Sequence, residues 1–295
     1  MTTPTLGSDR ARVDAALAAF CDRYLDGVAA ATADAIRYSL LGEGKRLRPV
    51  LVLAAFTAAG GQGDASELAA AVEIVHAYSL VHDDLPCMDD DDMRRGRPTV
   101  HRVYGVAAAT AAGLAMVPMA ALAARDAAVA LGLGNADVAR IVRELMTASG
   151  AGGMIGGQQL DLEAEGLALS LDGLERIHAA KTGALITAAV VIGGVAAGGG
   201  DVAVDALRRY GRSIGLAFQI ADDVLDVTAT TDQLGKTAGR DLALQKSTYP
   251  ALLGVDGAME RARSLVDDGC RALASAGLLT TALEELARFS VARRS

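Results

Sequence analysis

The amino-acid sequence predicts an all-α fold, and three observations carry the expectation. Alanine and leucine dominate a chain that is 52% hydrophobic but 3% aromatic, which suits helices and leaves few of the residues that strands prefer. Apolar residues recur at three-and-four spacing in "ELAAAVEIVHAYSLVH" (67–82) and "VDALRRYGRSIGLAFQIADDVLDV" (204–227). No apolar/polar alternation bounded by hairpin turns stands out.

In chain order, helices are expected between breaks at "GGQGDAS" (60–66), "DDMRRGRP" (91–98), "GLGNAD" (132–137), "EGLALSLD" (165–172), "AAGGGD" (196–201), "TATTDQLGKTAGRD" (228–241) and "GVDGA" (254–258). None is long enough for an interdomain linker, so one domain over 1–295, with about ten or more helices, is expected. Two uncharged runs, 103–124 and 182–200, reach the length of a membrane span. Alanine drives insertion weakly, and Gly105, Gly113 and Pro118 or "GG" and "GGG" interrupt the runs. Both are therefore expected to be buried core helices, with no membrane span.

A formal net charge of −8 argues against nucleic acid as a partner. Cys21, Cys87 and Cys270 are widely spaced and odd in number, and no basic start precedes an apolar block, so a reducing cytoplasm is expected.

The segment "LVHDDLPCMDDDDMRRGRPTVH" (80–101) gathers opposed charge in this apolar chain. In a helix ending near it, His76, Ser79 and Asp83 share one face. Asp89 would sit about 240° around from Asp83, but Pro86 disturbs the turn and allows Asp89 back toward Asp83 and Asp84. An isolated acidic run is ordinarily a solvated helix end. A second cluster argues otherwise: Asp222 and Asp226 are i, i+4, Asp223 lies beside them, and Gln219 is i, i+3 with Asp222. Carboxylates this dense in an apolar segment repel unless protonated or bridged by cations. The clusters read as two walls of one site, and oxygen-only ligands favour Mg²⁺ together with substrate phosphates.

Basic residues stand beside glycine, threonine or helix ends in "GEGKRLRP" (42–49), "RRGRP" (94–98), "HAAKTGAL" (178–185), "LGKTAGRD" (234–241) and "LQKSTYP" (244–250), as diphosphate recognition requires. "LGKT" is not a P-loop, because Thr230 occupies the position of the required glycine, and the aspartates after Asp83 lack the glycine of an EF-hand loop.

Taken together, "GKRLRP", "DDLPCMD", "RRGRPTVH", "GGQQLDL", "KTGAL", "FQIADDVLD", "LGKTAGRD" and "KSTYP" make the chain from about residue 40 onward resemble the trans-isoprenyl diphosphate synthases, most closely the bacterial farnesyl type. The resemblance implies an isoprenoid synthase fold around a central cavity, a homodimer, and head-to-tail condensation of isopentenyl diphosphate with dimethylallyl or geranyl diphosphate to farnesyl diphosphate. Geranyl or geranylgeranyl diphosphate synthesis is the alternative by the same chemistry. A class I terpene cyclase has no need of "GKRLRP", and a non-catalytic partner subunit is expected to lose aspartates.

By the same resemblance, Asp83, Asp84, Asp89 and Asp222, with Asp223 and Asp226 in support, hold Mg²⁺, as three ions once substrate is bound. Arg94, Lys181, Lys236 and Lys246 grip the allylic diphosphate, and Lys45, Arg48, His76 and Arg95 the isopentenyl diphosphate. Lys181, Thr182 and Gln219 serve the reacting centre. Residue by residue, the plainer alternatives are a core histidine at His76, a structural carboxylate at Asp161 and a helix cap at Lys246. Tyr78, with Ser79 beside it, lies about 6 to 8 Å along the helix from Asp83 and is expected to floor the pocket at C15. Relatives usually read "AGDAL" where this chain has "AGLAM" (112–116); Leu114 there bears on substrate positioning or a buried polar contact.

Overall fold

The computed structural model describes residues 4–228 and 246–292, and over them the fold is all-α. The described residues within Met1–Leu53 and Gln62–Val142 form one compact unit, and those within Ala54–Gly61 and Arg143–Ser295 form another.

The first unit contains α1 (Pro4–Tyr24), α2 (Ala30–Leu40), the start of α3 (Leu47–Ala58), α4 (Ser66–Asp83), α5 (Val100–Tyr104), α6 (Val106–Ala130) and the start of α7 (Asn135–Ser149). Asp64 Oδ1 accepts from the Ser66 amide at 2.8 Å and so caps the first turn of α4. The helix packs against α1, α2 and α6, and most residues from Ser66 to Val81 are buried. Alanines on both α4 and α6 let the two backbones approach. Pro86 follows the end of α4, and the chain then folds back: the Asp89 amide donates to the Asp83 carbonyl at 2.8 Å, the return expected from the sequence.

The run 103–124 departs from expectation. Gly105, at φ 83°, separates α5 from α6, and only 33% of the most apolar stretch of α6 is buried. Leu114, Leu122 and Val129 lie on its exposed side, so α6 carries an outward apolar face and is no fully buried core helix.

The second unit contains α8 (Met154–Glu163), α9 (Leu171–His178), a π-turn (Ala179–Gly183), α10 (Ala184–Ala196), α11 (Asp201–Thr228), α12 (Tyr249–Ser275) and α13 (Thr281–Ala292). By length and composition Leu171–Ala196 could cross a membrane, as could Val106–Ala130, but 78% of its window is buried in the fold. Burying Leu185, Ile186, Val190, Val191, Ile192 and Val195 along α10 contributes about 1.5–3 kcal/mol each, as an upper estimate. α11 packs on α10, α12 and α13, and the buried Tyr210 hydroxyl donates to the Leu283 carbonyl at 2.7 Å. The expected break at 254–258 is a kink inside α12, where Gly254 adopts φ 71°.

Candidate functional site

The acidic segment of the first unit is organised by a hairpin too short for alternation to announce it. Met93 and Arg94 pair with Pro98 and Arg97, and the connecting Arg95 and Gly96 both have positive φ, 53° and 73°. A tight turn of this hand favours glycine at its second position. Tyr38 on α2 fastens the hairpin: its hydroxyl donates to the Pro98 carbonyl at 2.8 Å, and the Arg97 guanidinium lies 4.1 Å from its ring centroid.

The hairpin brings Arg94 onto Asp84, with Nε 2.7 Å from Oδ1, and within 3.4 Å of Asp91. Asp84 is buried, and burial raises its pKa in spite of the opposing arginine. Arg95 donates to the Glu43 carbonyl at 3.0 Å. Desolvation lowers its pKa, helped by neighbouring Arg46 and Arg94 and opposed by Glu73. His76 shares with Arg46, Glu73, Asp84, Arg94 and Arg95 the wall of a cavity of about 60 Å³. Desolvation by burial and the positive field of Arg48, Arg95, Arg94 and Arg46 hold its pKa well below 6.5, so it is neutral at pH 7. The structure thus brings three of the four expected isopentenyl-site residues, Arg48, His76 and Arg95, into one electrostatic neighbourhood; Lys45 is exposed on the adjoining loop.

That loop hangs on Arg46, at φ 52°. Its guanidinium donates to Asp14 at 2.8 Å, Glu73 at 3.0 Å and the carbonyls of Leu40 and Gly42 at 2.9 and 2.8 Å.

In the second unit, Lys181 and Thr182 sit on the π-turn, a one-residue widening of the helix of a kind often found at functional sites. The turn seats against α8 at Gly157, where a Cβ would come within 2.2 Å of the Lys181 backbone nitrogen. Lys181 and Lys246 converge on one oxygen of Asp161, at 2.6 and 2.9 Å, and Glu165 lies 3.6 Å from Lys246. Burial alone would raise the Asp161 pKa, but the two ammonium groups hold it below the usual range. Next to this cluster, the Thr182 hydroxyl donates to Gln219 Oε1 at 2.9 Å, and Gln219 Nε2 donates to Asp223 Oδ1 at 3.3 Å. Asp223 Oδ2 accepts from the Tyr249 amide at 3.1 Å.

The first unit pairs Arg94 with the first aspartate-rich motif, and the second gathers Lys181 and Lys246 on Asp161; comparisons with known proteins match this chain. A polyprenyl synthetase family model matches residues 30–284. The chain belongs to that family. It is 49% identical over 265 residues to a farnesyl diphosphate synthase of Escherichia coli, covering 88% of each chain. It is 46% identical over 239 residues to a chloroplastic geranylgeranyl pyrophosphate synthase of Arabidopsis thaliana, covering 80% of this chain and 68% of the relative. A crystal structure of a geranyltransferase from Helicobacter pylori, complexed with magnesium and isoprenyl diphosphate, superposes with a TM-score of 0.78 at 30% identity, covering 99% of this chain and 97% of that one.

Against the motifs of this synthetase family, the described residues refine several expectations. Gln219 Nε2 bonds Asp223, its i, i+4 neighbour, a contact the i, i+3 relation with Asp222 did not anticipate. Tyr78 is buried, with its ring 6.0 Å from that of His82, and burial next to Asp83 pushes its pKa up to about 12. Ser79 turns its hydroxyl onto the His76 carbonyl at 2.9 Å. Leu114 is 63% exposed, which removes the expected change in a buried polar contact. Lys236 lies outside the described residues. Among the described residues no group of three or more His, Cys, Asp or Glu side chains is poised as a metal cage. Mg²⁺ does not require one, since it keeps waters and takes substrate phosphate oxygens beside one or two carboxylates. Sequence reasoning missed Arg46 and Glu73 altogether, although "GKRLRP" lay in view.

Proposed function

We propose that this prenyltransferase makes farnesyl diphosphate by head-to-tail condensation of isopentenyl diphosphate with dimethylallyl and then geranyl diphosphate. The observation that carries the reading is the convergence of Lys181 and Lys246 on Asp161 beside the Thr182–Gln219 pair. Two ammonium groups held by one carboxylate keep surplus positive charge for an allylic diphosphate. Beside them lie oxygen dipoles that stabilise an allylic cation without bonding to it.

Arg48, neutral His76 and Arg95, with Lys45 at the rim, would take the isopentenyl diphosphate in the first unit. Neutral His76 can either donate to a phosphate oxygen or accept a proton as that charge arrives. Arg94, already placed on Asp84, would swing between that carboxylate and the allylic diphosphate. The carboxylates of Asp83, Asp84 and Asp89 in the first unit and of Asp222 and Asp226 in the second would hold magnesium, with which the Helicobacter relative is complexed, and the ion would supply Lewis-acid neutralisation of diphosphate charge. The new bond forms as the isopentenyl double bond attacks the allylic cation, and the released diphosphate then takes the proton that leaves. Geranylgeranyl diphosphate is the second reading, since relatives of both names match this chain.

A homodimer built on α6 is part of the proposal. Leu114, Leu122 and Val129 are 63%, 44% and 58% exposed along one side of α6, and a second copy would cover them. A cytoplasmic setting agrees with three free cysteines.

The test is a split of Michaelis constants. Arg95→Ala should raise KM for isopentenyl diphosphate about tenfold or more and leave the allylic KM nearly unchanged, and Lys181→Ala should do the reverse. Equal effects on both substrates in both variants would contradict the assignment.

A further inference from the structure

Within the second acidic motif the three aspartates are not equivalent. We propose, on the basis of the prenyltransferase reading, that Asp223 is no metal ligand but a positioning carboxylate, which fixes the Gln219 amide and through it the Thr182 hydroxyl.

Asp223 is 3% exposed, and each of its oxygens is already engaged. Oδ1 accepts from Gln219 Nε2 at 3.3 Å. Oδ2 accepts from the Tyr249 amide at 3.1 Å and lies 3.4 Å from His178 Nε2. His178 in turn stacks on Tyr249, with ring centroids 5.7 Å apart and an interplanar angle of 18°. An ion that demands near-octahedral oxygens and keeps its waters would have to break into this buried set. Asp222, one residue earlier and about 100° around the helix, is more accessible.

The hydrogen-bond roles leave one arrangement. An ionised carboxylate only accepts, so Gln219 must turn its NH₂ toward Asp223 and its oxygen toward Thr182. Thr182 must then donate its only hydroxyl proton to Gln219, which leaves the threonine lone pairs for the electron-poor allylic carbon. With the amide reversed, two oxygens would meet at Asp223, and Thr182 would accept from Gln219 and be left to point its proton elsewhere. Asp223 also anchors the Tyr249 amide, three residues after Lys246, and thereby the segment that delivers Lys246 to Asp161. One carboxylate therefore sets the cation-facing dipoles and steadies a diphosphate-gripping lysine.

The experiment compares Asp223→Asn, Asp222→Asn and the double variant Asp223→Asn with Gln219→Glu. In the double variant the asparagine NH₂ donates to the new carboxylate, whose other oxygen accepts from Thr182, so every hydrogen bond is preserved, with donor and acceptor exchanged between residues 219 and 223 alone. Calorimetric titration of Mn²⁺ in the presence of inorganic diphosphate reads metal binding apart from turnover. Asp222→Asn should weaken Mn²⁺ binding about tenfold, and Asp223→Asn should leave it within about twofold of the wild type. Asp223→Asn should lower kcat by about 10- to 100-fold with the allylic KM little changed, and the double variant should recover at least fivefold of it. A tenfold loss of Mn²⁺ affinity in Asp223→Asn, or no recovery in the double variant, would overturn the proposal. If the single variant does not fold, the double variant carries the titration with the same two outcomes. A wild type that condenses no substrate would instead defeat the prenyltransferase reading itself.

Discussion

Replacing Arg46 by methionine should unfold the protein at a markedly lower temperature, and the structure sets the size of the effect. The side chain is 4% exposed and its partner Glu73 3% exposed. Glu73 Oε2 is buried without a hydrogen-bond partner, so losing Arg46 leaves a buried carboxylate with its other oxygen stripped as well. Breaking one side of such a pair costs about 3–5 kcal/mol. Asp14 is 44% exposed and rehydrates at little cost, whereas the Leu40 and Gly42 carbonyls lose donors worth about 1 kcal/mol each. At about 2–4 °C per kcal/mol, the midpoint should fall by roughly 10 °C or more. Adding Glu73→Leu removes the stranded charge and should restore about half of the loss, the carbonyls accounting for the rest. Differential scanning calorimetry of wild type, both single variants and the double variant closes the cycle. A loss below about 1 kcal/mol in Arg46→Met, or a double variant no more stable than the single, would refute the reasoning.

Three further outcomes follow from the second unit and from α4. Gly157→Ala places a methyl 2.2 Å from the Lys181 nitrogen, where backbone cannot yield, so it should cost about 3 kcal/mol and most of the turnover; Gly152→Ala, with open space around it, should be close to neutral by both denaturation and rate assays. Asp161→Asn should destabilise by about 1–3 kcal/mol at pH 7. Because the folded Asp161 pKa is depressed, its contribution is complete above the unfolded value and is lost as pH falls through the folded one, so urea titrations should show the gap to wild type constant from about pH 5 to 8 and closing below about pH 4. Tyr78→Ala should shift the products to C20 or longer, read by chromatography of the dephosphorylated alcohols; an unchanged profile would remove Tyr78 as the floor.

Much of this was legible because the chemistry depends on local spacing. Pro86 after the first aspartate pair required the chain to turn, and the Asp89 amide does return to the Asp83 carbonyl. Helical periodicity likewise placed His76, Tyr78, Ser79 and Asp83 on one helix. What sequence could not supply was which of several like residues is buried. Lys45, Arg46 and Arg48 look alike in "GKRLRP", and nothing in the sequence says that Arg46 is buried against Glu73, twenty-seven residues away. A helical wheel could have separated Asp223 from Asp222 and Asp226, since the last two share a face and Gln219 is i, i+4 with Asp223. Apolar composition identified α6 but not its exposed side, because an alanine-rich helix is apolar all round and carries no periodic signal of which face the rest of the chain covers. The two-residue strands carried no periodic signal, and their positive-φ turn showed only as Gly96 after a run of arginines.

The central claim is tested most directly by incubating the purified protein with isopentenyl and dimethylallyl diphosphates and Mg²⁺, then resolving the products by chain length. The account predicts farnesyl diphosphate as the main product, with geranyl diphosphate as a transient and no product once EDTA is in excess. Undiminished synthesis in excess EDTA, or a cyclised hydrocarbon in place of a linear diphosphate, would contradict the chemistry, and mainly C20 would contradict the assigned length.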